Sequence, residues 1–260
     1  MKVVFIGDIV GGSGRRTIAT VLPTVREEHA PDLVIANVEN AAGGFGINRK
    51  SLDELIAAGV DFFTAGNHVW DKKEGVELLS QLENIVRPGN YPGGAPGVGG
   101  RTVPGTQERV AVVNVQGRVF MPAIDCPFRW IDGFLSGLDR RTKIVIVDVH
   151  GEATSEKIAM GWYLDGRVSL VVGTHTHVPT RDCRVLPRGT GYVTDVGMTG
   201  SYDGVLGVKK EAVLERFLSM RPTRFEVAGT DLRCDYVMAE VDDETGRTTA
   251  MKHLQATVEK

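Results

Sequence analysis

Five apolar runs in this chain stop abruptly on residues that bind metals. Residues 3–6 run into Gly7-Asp8, 33–38 into Glu39-Asn40, and 62–65 into Gly66-Asn67-His68. Residues 144–149 run into His150, and 170–172 into Gly173-Thr174-His175-Thr176-His177. Short, continuous apolar runs read as strands buried on both faces, the kind found in parallel sheets. The strand C-terminal ends of such a sheet open onto one edge, and that edge is where α/β folds bind ligands. One edge would therefore gather Asp, Glu, two Asn and four of the chain's six His. Carboxylate, amide and imidazole donors together suit a pair of divalent transition metals.

The rest of the pattern supports an α/β fold. Further strands are expected at 85–86, 110–116 and 192–196, and helices at 14–29, 49–58, 71–82, 155–165 and 209–220. Asp71-Lys72-Lys73-Glu74 has the spacing of a capping box. Residues 225–228, 236–241 and 248–254 read as antiparallel strands with Gly-containing turns, expected in a second sheet packed on the first. The Pro- and Gly-rich stretch 87–105 reads as loop. No repeat or linker divides the chain, so a single domain spanning 1–260 is expected.

With 260 residues, 42% of them hydrophobic, the chain can bury a substantial core. A net charge of −3 gives no strong nucleic-acid footprint, which leaves a small nucleotide substrate open. No run approaches the ~20 apolar residues of a membrane span, and no signal peptide is visible. Cys126, Cys183 and Cys234 lie far apart, as incidental thiols in a reducing cytoplasm would. Phe120-Met121-Pro122 and Phe128-Arg129-Trp130 are either interface material for a homo-oligomer or buried packing.

His175 and His177 lie two apart, so an extended segment would turn both rings to one side. Asp8 is a terminal ligand or an N-cap of the following helix. Glu39 closes a buried strand, which is costly unless something positive pairs with it, and its carboxylate suits a bridge between two ions. Asn40 and Asn67 are amide ligands or turn residues. If Asn67 reaches a metal, its neighbour His68 projects elsewhere, and there it is either a general acid or a hydrogen-bonded structural histidine. Gly11-Gly12-Ser13-Gly14 looks like a phosphate loop but matches neither phosphate-loop motif, and Arg15 and Arg16 are phosphate contacts or surface charge. Residues 197–207 form a pocket rim or an ordinary Gly-rich loop. His29 and His253 are weak candidates.

Taken together, these motifs resemble those of the calcineurin-like metallophosphoesterases. Three departures are visible: Asp8-Ile9-Val10 lacks the usual histidine, Glu39-Asn40 stands where an aspartate is usual, and an extra residue precedes His175. With Asp195-Val196-Gly197-Met198-Thr199-Gly200, that variant set resembles the YmdB-like branch over nearly the whole chain. The resemblance implies a four-layer α/β/β/α sandwich and a bacterial, cytoplasmic phosphodiesterase acting on 2′,3′-cyclic nucleotides. It also implies two divalent ions, iron first and manganese next. Asp8, Asn40 and His177 would hold one ion and Asn67, His150 and His175 the other, with Glu39 bridging. The implied reaction is attack by a metal-activated hydroxide, with His68 as general acid. A phosphomonoesterase or protein phosphatase, and a metal-binding regulatory protein with weak catalysis, are the alternatives.

Overall fold

Side chains alternate across a strand, and in this chain both faces of most strands are apolar. Each sheet therefore needs a cover on either side. The computed structural model describes residues 1–107 and 109–258. In chain order it begins with β1 (Lys2–Ile6), β2 (Asp8–Ile9), α1 (Gly11–His29), β3 (Leu33–Asn37) and α2 (Arg49–Ala58). Then come β4 (Phe62–Thr64), a short 3₁₀ turn (Asn67–Trp70), α3 (Lys73–Gln81), β5 (Gly100–Thr102) and β6 (Val110–Gln116). The second half holds α4 (Pro127–Ser136), β7 (Ile144–His150), α5 (Thr154–Leu164), β8 (Leu170–Thr174), β9 (Arg184–Val185) and β10 (Gly191–Val193). It ends with β11 (Met198–Ser201), α6 (Lys210–Ser219), β12 (Leu232–Val241) and β13 (Thr248–Thr257).

The strands form two sheets, ordered β2-β11-β12-β1-β3-β4, with β13 on β12, and β5-β6-β7-β8-β10-β9. Strands β1, β3 and β4 run parallel in one, and β6, β7, β8 and β10 in the other. Alternate residues divide each strand between two cores. Val3, Phe5, Leu33 and Ile35 meet Val112, Ile146 and Val172 in a core shared by the two sheets. Val4, Ile6, Val34 and Ala36 face the other way, onto Ile18 and Leu22 of α1 and Leu52 and Leu55 of α2. Val113, Val147 and Val171 pack on Ile131 of α4 and on Met160 and Leu164 of α5. Among the described residues, no helix is long and apolar enough to cross a membrane.

Several expectations are corrected. The C-terminal hairpin does not belong to a second sheet: β12 pairs antiparallel with β1, so it extends the first. The second sheet starts at β5 and β6 instead, because the parallel run from β6 to β8 pairs with itself. Residues 225–228 make one bridge, Val208 to Val227, rather than a strand. Asp71 caps nothing. Helix α3 starts after Lys72 without a side-chain cap, because Asp71 is engaged by His68 and Glu74 accepts the Arg49 amide. Gly11–Gly14 is the first turn of α1, not a loop, and a Cβ on Gly14 would lie 2.5 Å from the Thr199 carbonyl. Gly14 thus lets α1 approach β11.

The stretch 87–105 is organised from within. The buried Arg87 guanidinium donates to the carbonyls of Pro88, Ala95, Pro96 and Gly97. Helix α4 was not expected, although Pro127 at its first turn is a start signal. It resolves the aromatic clusters: Trp130 stacks on Phe134, while Phe120 stays 88% exposed.

Candidate metal centre

The two sheets bring the ends of β1, β3 and β4 against those of β7 and β8, so the candidate residues meet at a seam between sheets rather than along one edge. His150 is the last residue of β7 and is fully buried. Its Nε2 lies 3.1 Å from Glu39 Oε1, 3.1 Å from Asn67 Oδ1 and 3.0 Å from His175 Nδ1. Its Nδ1 is 2.9 Å from the Thr174 hydroxyl, which donates to Asp148 Oδ1 at 2.7 Å. A hydroxyl already donating to a carboxylate accepts from His150 Nδ1–H, which leaves Nε2 with a lone pair in the neutral ring. Gly66 makes this crowding feasible: a Cβ there would sit 2.2 Å from Glu39 Oε2 and 2.3 Å from His150 Nε2.

A second group lies beside the first. Asn40 Nδ2 is 3.0 Å from His177 Nε2 and 3.5 Å from Glu39 Oε1, and His177 Nε2 is 3.8 Å from Asp8 Oδ1. Asp8 is not an N-cap, since that position is Val10; its Oδ2 accepts the His175 amide instead. Asp8 Oδ1 and Asn40 Oδ1 are buried without a hydrogen-bond partner. His175 and His177 have φ of 97° and 62°, so the loop is left-handed rather than extended. Alternation therefore does not place their rings: His175 joins the first group and His177 the second. Beneath them the Asp195 carboxylate accepts Thr176 N–H and pairs with the buried Lys157 at 2.7 Å.

These residues fit a metal. Among those described, Glu39, His150 and His175 place donor atoms within 4.8 Å of one another. Several lone pairs point at one small volume, a crowd that a proton can satisfy only pairwise and a cation satisfies together. With protons alone, burial opposes charge on Glu39, but His150 and the contact with His68 outweigh it and hold the carboxyl at about 2. Burial also opposes charge on His150, which Glu39 nonetheless raises to about 9. Burial pushes Asp8 up, and burial with the neighbouring His150 pushes His175 down to about 3.

The model of the YmdB-like protein family matches residues 4–254. The chain belongs to that family. It is 45% identical to the 2′,3′-cyclic-nucleotide 2′-phosphodiesterase of Bacillus subtilis, over 98% of this chain and 96% of that protein. A crystal structure of a hypothetical protein from Thermus thermophilus superposes with a TM-score of 0.92 at 46% identity, covering 99% of both chains. A crystal structure of a novel phosphatase from Mycoplasma pneumoniae superposes at 0.93 and 32% identity, covering 99% of this chain and 93% of that one.

His68 begins its ring contacts from the 3₁₀ turn, not from extended backbone. Its Nδ1 lies 2.8 Å from Asp71 Oδ2, and its amide donates to Glu39 Oε2 at 2.9 Å. It lines a cavity of about 810 Å³ together with Glu39, Asn40, His175 and His177. Of the residues 197–207, Val205 and Leu206 reach the rim of this cavity. Tyr202 instead bonds Asp235, and Asp203 pairs with Lys210. Arg15 is turned to Glu54 and the Ala41 carbonyl, away from any phosphate role. His29 contacts Tyr236, and His253 bonds the Thr180 and Val196 carbonyls, both outside the centre.

Sequence reasoning missed four supports: Asp71 on His68, Thr174 and Asp148 behind His150, and Glu152, 3.1 Å from His175 Nε2. Thr174 and Asp148 lie beside the histidines of their motifs and Asp71 in the expected capping box, so three of the four were in view without their roles. It also missed Phe45, whose ring centroid lies 5.0 Å from that of His68.

Proposed function

We propose that this chain is a metal-dependent phosphodiesterase that opens 2′,3′-cyclic nucleotides at the P–O2′ bond and leaves a 3′-phosphate. One observation carries the reading: His68 shares a cavity with two groups of donor atoms that meet at the Glu39 carboxylate. The name of the Bacillus subtilis relative supports the substrate class. Asn67, His150 and His175 would hold one ion; Asp8, Asn40 and His177 would hold the other, with Glu39 between them. A half-turn of the Asn40 amide would exchange its Nδ2 and Oδ1 and turn the oxygen toward His177. The oxygen-rich donor set favours iron, then manganese, over zinc. When bound, two such ions supply the charge that neutralises phosphate oxygens and activates water.

The chain's own residues handle the leaving group. Asp71 holds His68 by Nδ1, so Nε2 is the nitrogen that gives a proton to O2′. One water is consumed: its oxygen forms the new P–O bond while the P–O2′ bond breaks. The proton His68 loses to O2′ is replaced by one that the water gives up. Two layers of helices outside two sheets, read from the three cores, support a four-layer α/β/β/α sandwich. We read it as a single domain for 1–260, of which Glu108, Glu259 and Lys260 lie outside the described residues. Three free cysteines support a cytoplasmic setting, and the exposed Phe120 is where self-association would be sought.

The test is His68→Ala in protein purified with its metals. It should lower kcat on 2′,3′-cyclic AMP by roughly 10²–10⁴ and far less on bis(4-nitrophenyl) phosphate, whose leaving group needs no proton. Equal losses on both would remove the general-acid role. A phosphomonoesterase is the second reading, favoured by the name of the Mycoplasma pneumoniae structure. Faster turnover of the nitrophenyl monoester than of the diester would select it.

A further inference from the structure

We propose that Phe45 stacks on the nucleobase of the substrate and sets the preference for nucleotides over base-free cyclic phosphates. This rests on the phosphodiesterase reading, with His68 delivering a proton to O2′. The chemistry of ribose then constrains where the base lies. O2′ is carried by C2′, and the adjacent C1′ carries the base, so an acid that reaches O2′ has the base beside it. Among the described residues, the aromatic ring in contact with His68 is that of Phe45, 5.0 Å from it and tilted by 58°.

Phe45 is 40% exposed and lines the same cavity as His68, Glu39 and His177. Its loop holds it there. Gly43, Gly44 and Gly46 have φ of 81°, 103° and 70°, a conformation that costs other residues strain and presents the side chain between them to the cavity. At Gly46 the fit is close, since a Cβ would lie 3.0 Å from the Lys72 side chain. Beside the polar candidate ligands the same cavity is lined by Leu206, Phe217 and Phe225, with Arg216 and Arg221 among them. A cyclic phosphate held by the polar residues would leave its flat base against this mixed lining, with the Phe45 ring beside His68. An exposed aromatic face is what a base of any sequence can stack on.

The competing role for Phe45 is to shield His68 from water, and substrate choice separates the two. The experiment compares kcat/KM for 2′,3′-cyclic AMP with that for methyl riboside 2,3-cyclic phosphate, which lacks the base, using protein purified with its metals. The ratio of the two does not depend on the fraction of enzyme that is folded. Wild type should prefer the nucleotide. Phe45→Ala should lower that ratio about tenfold, at the low end of the worth of a base–aromatic stack, and Phe45→Trp should keep it. An equal fall on both substrates would overturn the stacking role, as would a wild type that treats the two alike. Turnover of nitrophenyl esters with neither cyclic ribose accepted would overturn the substrate reading itself.

Discussion

The two halves of the centre are built differently. Around His150 the polar atoms form a closed chain: Thr174 braces the ring, Asp148 braces Thr174, and Asn37 donates to Asp148 at 3.1 Å. Asn37 also accepts the Glu39 amide, so ligand candidates from both sheets hang on one buried network. Around Asp8 the atoms are left open. Among the described residues, Asp8 Oδ1 and Asn40 Oδ1 have no hydrogen-bond partner, and His177 Nδ1 bonds the Leu206 carbonyl on the cavity rim. A buried polar atom without a partner costs about 1–3 kcal/mol, so the second half is arranged for a guest while the first is set before one arrives. On the proposed two-ion reading, the difference teaches that one site would be preorganised and the other completed by its ligand.

Removing His150 should have the largest effect. In metal-stripped protein, His150→Ala leaves Glu39 buried without its counter-charge and should cost about 3–5 kcal/mol in urea denaturation. His177→Ala should cost much less. Equal costs would break the comparison.

The pH dependence of the metal-stripped protein comes next. Glu39 is depressed from 4.5 to about 2, so its stabilising contribution is present above pH 4.5 and lost as pH falls toward 2. His150 is raised from 6.5 to about 9, so its contribution is present below pH 6.5 and lost as pH rises through 9. Stability resting on this pair should be greatest between those windows. Loading with manganese should abolish the alkaline loss, because a ligating imidazole is already neutral. An alkaline limb unchanged by metal would place the ion elsewhere.

A smaller and more local effect is expected at Thr174. Thr174→Val removes the brace on His150 and should weaken one of two bound ions by roughly 10–100-fold, leaving the other nearly unaffected. Metal titration followed by calorimetry reads this directly, and equal weakening of both ions would dissolve the division. Smallest of all, Asn40→Ala should change the stability of stripped protein by about 1 kcal/mol or less, since it deletes an unpartnered oxygen along with two hydrogen bonds, one of them long at 3.5 Å. The same variant should lose one ion.

The candidate donors could be picked out because metal chemistry needs particular atoms, and Asp8, Glu39 and His150 each stand at the end of an apolar run. What surrounds them was less so. The Asp71 carboxylate fits a capping box as well as it fits His68, and only the 2.8 Å contact decides between them. Phe45 lies among glycines in a stretch with no periodicity, so nothing local marks it. The Gly11–Gly14 turn looked like a phosphate loop because close helix–strand packing and phosphate binding both call for glycine.

By itself, the chain's sequence determined that buried parallel strands alternate with helices and end on side chains of the types that can hold a metal. Burial and ligand chemistry both act on residue type, and residue type is written in the sequence. Tertiary structure decided which sheet each strand joined, that β12 completed the first sheet, and that His175 and His177 parted to different ends of the centre. Those outcomes depend on pairing between distant segments and on two left-handed backbone positions, and neither leaves a periodic trace in the chain.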